Sequence, residues 1–339
     1  MAKGKKESVS IEPEELLVGG NNTNSSVLKS VVVFLIFHML YLLAPVLITV
    51  APVIIAYYYP AYRYIAIALG SGYWIYVFTD KSYKNNGAPW KVMENMILVR
   101  IILEWLPIRI LRTTKLDKDK LYVFACHPHG TLAFSRAAVG FSTRTLWDLA
   151  FPNLKFRVLT ASAPFFVPFI REFWLWSYCI DASKVTAVKA MRELKSSIFV
   201  YPGGELEQIE TIYQKHIAML SMRKGFIKLA IEEGADIVPV YTFGETDLYK
   251  HSHILLNFRK WLVKKFHVAI PFLYGEYGLM PYRIPVTMVF GKPIKIIQKN
   301  KPTIEEINKI HTEYCRCLLN IFNEYKERLG YKDAVLEIR

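Results

Sequence analysis

From 31 to 60 the chain carries no Asp, Glu, Lys or Arg, reading VVVFLIFHMLYLLAPVLITVAPVIIAYYYP. Arg63 interrupts, and 64–79 is then uncharged for sixteen more residues. A membrane-crossing helix needs about 20 apolar residues, so this run is too long for one straight span and nearly right for two short ones. Pro45, Pro52 and Pro60 divide it, and proline bends or ends helices. The tyrosines and Trp74 resemble interface anchors. Two layouts follow: a hairpin with both ends on one side, or one bent span. The competing reading is a hairpin buried in a protein with no membrane segment. A secretory signal fits poorly, because the apolar region starts late and is too long.

Further on, the pattern changes period. Residues 81–118 set Met93, Met96, Ile97, Val99, Ile101, Ile102, Trp105 and Leu106 among Lys91, Arg100, Arg109 and Arg112, which predicts an amphipathic connector lying on a membrane. Short apolar runs at 121–125, 156–159, 198–201, 237–241 and 285–290 predict buried strands. Pro239 suits an edge or bulge position. Between them, Ser183 is placed to cap a helix through Leu194, and a second helix is expected from near Ser221 to Glu233, closed by Gly234. Thr303 and Glu306 have capping-box spacing and open a helix expected to end at Gly330. Strands alternating with helices predict an α/β fold with a mixed or mostly parallel sheet. The chain divides into a polar tail (1–29), a transmembrane or re-entrant hairpin (30–79), the connector (80–118) and a domain at 119–339.

Composition narrows the class. With 53% hydrophobic and 21% charged residues, the chain is too apolar to be disordered. Residues 1–80 hold five basic and five acidic side chains, so the net charge of +14 lies entirely beyond them. A basic domain beside an apolar hairpin predicts contact with anionic headgroups or an anionic substrate. Nucleic acid is not expected, because no zinc-finger, RNP-like or basic-helix pattern occurs. Residues 80–120 carry nine basic and five acidic groups, favouring a cytosolic placement of both hairpin ends. The sequons beginning at Asn21 and Asn24 are then expected to go unused. Four unevenly spaced cysteines predict a reducing compartment and no disulfide framework. Cys315 and Cys317 lack the further ligands of a zinc site.

Four features at element ends could carry chemistry. His127-Pro128-His129-Gly130 follows a buried strand. Neutral imidazole suits removal of a hydroxyl proton near pH 7, and proline and glycine shape the turn. Structural or metal-binding histidines are the alternative, weakened because no Asp or Glu lies within seven residues on either side. The second feature is Tyr201-Pro202-Gly203-Gly204-Glu205-Leu206-Glu207, where turn amides could hold an anion and either carboxylate could orient a histidine. Arg223-Lys224-Gly225-Phe226 is read as lying just inside a helix, able to meet phosphates or simply forming a basic face. Gly244-Glu245 ends the Val-Pro-Val strand, where the acid supports the site or caps the next segment. Cys126 adjoins His127, but neighbours on a strand point to opposite faces, so a Cys–His nucleophile is doubtful. There is no G-x-S-x-G, dinucleotide-binding or Walker pattern.

With these residues in view, the chain resembles the diacylglycerol acyltransferase type 2 family, which includes monoacylglycerol and wax-alcohol acyltransferases, over roughly residues 30–295. The histidine turn matches. Pro168-Phe169-Ile170-Arg171-Glu172 resembles the family's proline-arginine block, and 223–230, 238–245 and 291–294 match three more blocks in order. The family's acid lies three residues beyond the second glycine, pointing to Glu207 and making Glu205 a departure. The resemblance implies His129 as base, as the more general of the two histidines, with His127 orienting it or shaping the oxyanion region. It implies substrate contacts from Gly130, Arg171, Pro202, Gly203, Gly204, Arg223, Lys224, Gly225, Phe226, Gly244 and Glu245. It further implies long-chain acyl-CoA as donor, diacylglycerol or a related acceptor, and no metal or cofactor in the chemical step. An endoplasmic-reticulum membrane protein with cytosolic termini is implied, shared with lipid droplets and surrounded by membrane lipids. A homo-oligomer is compatible with it. A distant likeness to acyltransferases with an H-x-x-x-x-D motif breaks here, because five residues beyond His127 and His129 stand Leu132 and Phe134. The non-enzyme alternative is a membrane or lipid-droplet scaffold.

Overall fold

The structure, a computed structural model, describes residues 15–19, 26–94, 96–140 and 146–339. Its strands are β1 (Leu16–Val18), β2 (Ile108–Arg112), β3 (Tyr122–His127), β4 (Phe156–Thr160), β5 (Cys179–Asp181), β6 (Ser197–Val200), β7 (His216–Ala218), β8 (Asp236–Phe243), β9 (Lys250–Ser252), β10 (Phe272–Tyr274), β11 (Val286–Phe290) and β12 (Leu336–Ile338). Among the described residues, eight form one sheet in the order β1-β2-β11-β8-β3-β6-β4-β5, and β9–β10 and β7–β12 make two small ribbons. The block β8-β3-β6-β4-β5 is parallel throughout, while β11 runs antiparallel to β8. The fold is α/β with a mostly parallel sheet, as expected.

Every residue of β3 and β8 is buried, the condition of parallel strands covered on both faces. The period of two sorts their side chains. Phe124 and Cys126 join an aromatic layer with Trp147, Phe199 and Phe290, whereas Val123 and Ala125 face Ile227, Tyr314 and Leu318 under two helices.

The expected strands appear within two residues of their limits. Pro239 is a correction, because β8 is internal, with β11 and β3 on its flanks. Pairing with β11 stops at Val240–Phe290, so Pro239, which has no N–H, needs only its carbonyl, which accepts from Gly291 at 2.9 Å. Another difference concerns 80–118. Helix Ile97–Trp105 is amphipathic, but Ile108–Arg112 is an internal strand, and Leu16–Val18 of the polar tail lies at the edge beside it. Periodicity alone does not separate a short buried strand from part of a helix.

Ser183 caps Lys184–Glu193 by accepting from the Thr186 N–H. The helix expected near Ser221 begins instead at Gly225, so Arg223 and Lys224 precede it. Gly234 closes it at φ 66°. The Thr303–Glu306 capping box is formed, but its helix ends at Tyr325 rather than Gly330. There the chain turns, and the Tyr331 N–H donates to the Lys326 carbonyl at 2.7 Å.

Val27–Tyr58 is one helical run of 32 residues, long and apolar enough by length and composition to cross a membrane. A π-helical turn at Met39–Leu43 interrupts it, and Pro52 lies inside it without ending it. Pro60 opens the turn into Arg63–Thr79, which packs back on it with Gly70 against Pro52. The sequons at Asn21 and Asn24 lie outside the described residues.

Candidate active site

Three sequence features distant in the chain leave the carboxyl ends of three adjacent parallel strands, where sites form in such sheets. His127 is the last residue of β3, the Tyr201–Gly204 turn follows β6, and Gly244-Glu245 follows β8. Glu207, on helix Gly204–Glu210, joins the first two. One carboxylate oxygen accepts the main-chain N–H of His129, and the other accepts that of Met219 at 2.9 Å. The second oxygen also stands 3.6 Å from His127 Nδ1. Burial alone would raise the Glu207 carboxyl. His127 and the two amides outweigh it, so the group is held below the usual carboxylate value and stays ionised. Gly203 is required here, since a Cβ on it would overlap the Glu207 carboxylate.

The two histidines are placed differently. His127 is fully buried, with its ring 6.2 Å from that of Tyr314, and its Nε2 has no hydrogen-bond partner among the described residues. His129 is half-buried, edge-on to Tyr201 at 5.3 Å. Its Nδ1 lies 3.0 Å from the Gly130 carbonyl. A carbonyl only accepts, so Nδ1 carries the proton and Nε2 is left with the basic lone pair. Burial pushes this imidazole below the ordinary histidine value, against the Gly130 carbonyl and the charges of Glu207 and Glu205. A neutral ring with a free Nε2 can take a proton from a hydroxyl group.

Glu245 holds the other side of the turn. Its carboxylate accepts from the amides of Phe134 at 2.6 Å and Ser135 at 2.8 Å. Burial nonetheless pushes it up to about 7. Gly130, at φ 61°, leaves space for it, because a Cβ there would approach Glu245 Cγ to 2.6 Å. Gly244 turns the chain out of β8.

The remaining site candidates are dispersed. Glu205 is half-buried and touches the cluster through its charge on His129. Pro202 is buried in the turn. Arg171 is fully buried, paired with Asp80 and donating to the Phe165 carbonyl at 2.9 Å. It therefore joins the domain to the end of helix Arg63–Thr79, and its described contacts do not include the histidine turn. Lys224 donates to Asn308 at 2.8 Å, Arg223 and Gly225 lie at the same helix start, and Phe226 packs edge-on to Tyr314 at 5.0 Å. Cys126 is buried, and its thiol is pushed well above its ordinary value, which leaves it inert. Among the described residues no group of three His, Cys, Asp or Glu is arranged to hold a metal.

Sequence reasoning missed Tyr314, which donates to the Ala125 carbonyl at 3.0 Å behind His127, and the amides that hold Glu207 and Glu245. No motif marks them. An apolar cleft begins two residues after Gly130. Leu132, Phe134 and Arg136 line it opposite Phe37 and Tyr41 of the apolar helix, enclosing about 550 Å³ with its open mouth. Phe37 stacks on Phe134 at 5.4 Å. A separate polar recess beside Pro128 and Glu207 includes Lys215 and Arg339.

The family model described as "Diacylglycerol acyltransferase" matches residues 56–339. The diacylglycerol O-acyltransferase 1 of Schizosaccharomyces pombe is 32% identical over 69% of this chain and 72% of its own length. Human 2-acylglycerol O-acyltransferase 3 is 28% identical over 76% and 80%. Mouse acyl-CoA wax alcohol acyltransferase 2 is 28% identical over 76% and 81%.

Proposed function

The chain belongs to the diacylglycerol acyltransferase family, and from that premise we propose how its own residues perform the transfer. The activity is acyl-CoA-dependent acylation of an acylglycerol, with diacylglycerol converted to triacylglycerol. His129 Nε2 takes the proton of the acceptor hydroxyl as that oxygen attacks the thioester carbonyl carbon. The tetrahedral intermediate collapses, the C–S bond breaks, and the imidazolium returns the proton to the departing thiolate. Ester and free coenzyme A result, with no metal or cofactor. Glu207 is a positioning residue that holds the His129 main chain and faces His127. Glu205 adds negative charge nearby. The observation that carries this reading is the meeting of three blocks at the histidine turn, with Glu207 on one side of it and Glu245 on the other, at the ends of β3, β6 and β8.

Coenzyme A phosphates meet Arg223 and Lys224 or the recess with Lys215 and Arg339, and the apolar cleft takes a lipid chain. The Val27–Tyr58 run and its returning helix embed the protein in the endoplasmic-reticulum membrane with both termini cytosolic, and at lipid droplets. What supports this is their length, apolarity and exposed aliphatic side chains. The test uses purified protein in detergent micelles, labelled acyl-CoA, and a panel of monoacylglycerol, diacylglycerol and long-chain alcohol. Diacylglycerol should give the fastest product. His129→Ala should lower kcat by about 100- to 10,000-fold with unchanged membrane insertion. Near-wild-type activity in that variant would remove His129 as base, and no product from any acceptor would leave the scaffold reading.

A further inference from the structure

Arg136 is a buried cation with no ion-pair partner among the described residues, although its charge reaches the Glu245 carboxyl. It opens the short helix Arg136–Gly140 and is 7% exposed. Among the described residues no carboxylate lies within ion-pair distance of it, and its Nε has no hydrogen-bond partner. Its guanidinium lies over the Trp174 ring at 3.5 Å from the centroid, and Nη1 points at the Cys179 sulfur at 3.5 Å. An aromatic face tolerates a cation, and a thiol is a weak acceptor. Neither uses the planar fork of strong donors that arginine presents. A buried charge without such use is costly, and Arg136 is the one charged side chain on the wall of the apolar cleft.

The cleft's position says what enters it. Its other wall is the apolar helix, through Phe37, Leu40 and Tyr41. It begins at Leu132, on the turn whose main chain Glu245 holds. Arg136 is close enough to His129 for its charge to act on that imidazole. A second apolar recess, lined by Phe272 and Leu273, meets the cleft at Tyr41 and Leu132. Two apolar recesses that share Tyr41 and Leu132, the latter three residues past His129, suit a molecule with two hydrocarbon chains. A phosphate is a poor match for walls of Phe, Leu and Ile. An ester carbonyl is an uncharged acceptor that travels with the chains.

We propose that Arg136 donates hydrogen bonds to an ester carbonyl of the acylglycerol acceptor, and so sets the preference for glycerol esters over other long-chain alcohols. The inference rests on the proposed acyl transfer and adds the contact that selects its acceptor. No covalent step is involved. Arg136 binds the group beside the reacting hydroxyl, and His129 handles the proton.

The test compares diacylglycerol with the dialkyl glycerol diether of the same chain lengths, which has the same free hydroxyl and no ester carbonyl. Wild-type protein in micelles should favour the diester at least tenfold in kcat/KM. At a pH well above the ordinary histidine range, where His129 is neutral with or without the Arg136 charge, Arg136→Met, similar in length and apolar, should lose that preference, mainly through a higher KM for the diester, while its diether rate changes little. Arg136→Lys should keep part of the preference, because an ammonium still donates. Equal wild-type rates on diester and diether overturn the inference without any variant. An equal fall on both acceptors in Arg136→Met overturns it too, because the residue would then serve the thioester or the fold. Wild-type protein that acylates neither would instead count against acyl transfer itself.

Discussion

His129 and Glu245 show how burial acts in opposite directions on neighbouring groups. His129 lies below its ordinary value, and a base must be unprotonated to act. The acid limb of kcat/KM should therefore be centred below the ordinary histidine value of 6.5. A limb centred above that value would show that another group governs the rate. For Glu245, burial lifts the folded carboxyl to about 7 against a reference of 4.5. The folded state then binds the proton more tightly than the unfolded one, so this contribution is complete below about 4.5 and is lost as pH rises through about 7. Glu245→Gln, which cannot ionise, should flatten the pH dependence of the unfolding midpoint across that window. A variant with the wild-type slope would exclude Glu245 as its source.

At the scale of the element, the turn between β6 and helix Gly204–Glu210 determines where a carboxylate can sit. Gly203 carries no side chain, and Glu207 occupies the space a Cβ would need. Gly203→Ala should therefore move the carboxylate off the His129 and Met219 amides. We expect a loss of activity of at least about 100-fold, in line with mispositioned catalytic groups, and a cost of about 1–3 kcal/mol from the freed amides. Activity assays and denaturant melts in micelles measure both. Full activity in the variant would mean that the Glu207 contact does not position the base. The helix caps behave locally, because Ser183 and the Thr303–Glu306 pair act within one turn of chain.

For the molecule as a whole, the apolar helix and the active site are one construction. Phe37 stacks on Phe134, and Arg171 pairs with Asp80 at the end of the returning helix. If the run Val27–Tyr58 lies in a bilayer, the protein should remain in the membrane pellet after alkaline carbonate and be released by detergent. Release by carbonate alone would mean a surface association. The sequons at Asn21 and Asn24 report the side on which the tail lies, and endoglycosidase-sensitive sugar there would rule out a cytosolic N-terminus.

The sequence by itself determined the apolar run, the alternation of strands and helices, the Ser183 and Thr303 caps, and the histidine, glycine-glycine-acid and glycine-glutamate blocks. These depend on neighbours a few residues apart, so hydrophobic period and turn chemistry reveal them. Only the tertiary structure decided that β3, β6 and β8 lie side by side, that Glu207 holds the His129 main chain, and that Arg171 faces Asp80. It also decided that Pro239 can sit in an internal strand and that Ile108–Arg112 is a strand at all. Each of these depends on partners far away in the chain. Strand order comes from long-range pairing, and the use of a buried carboxylate or guanidinium depends on which donors and acceptors the fold brings within about 3 Å. Arg136 is the clearest case, an ordinary arginine in the sequence that becomes a buried, unpaired cation only once Trp174, Cys179 and the apolar helix surround it.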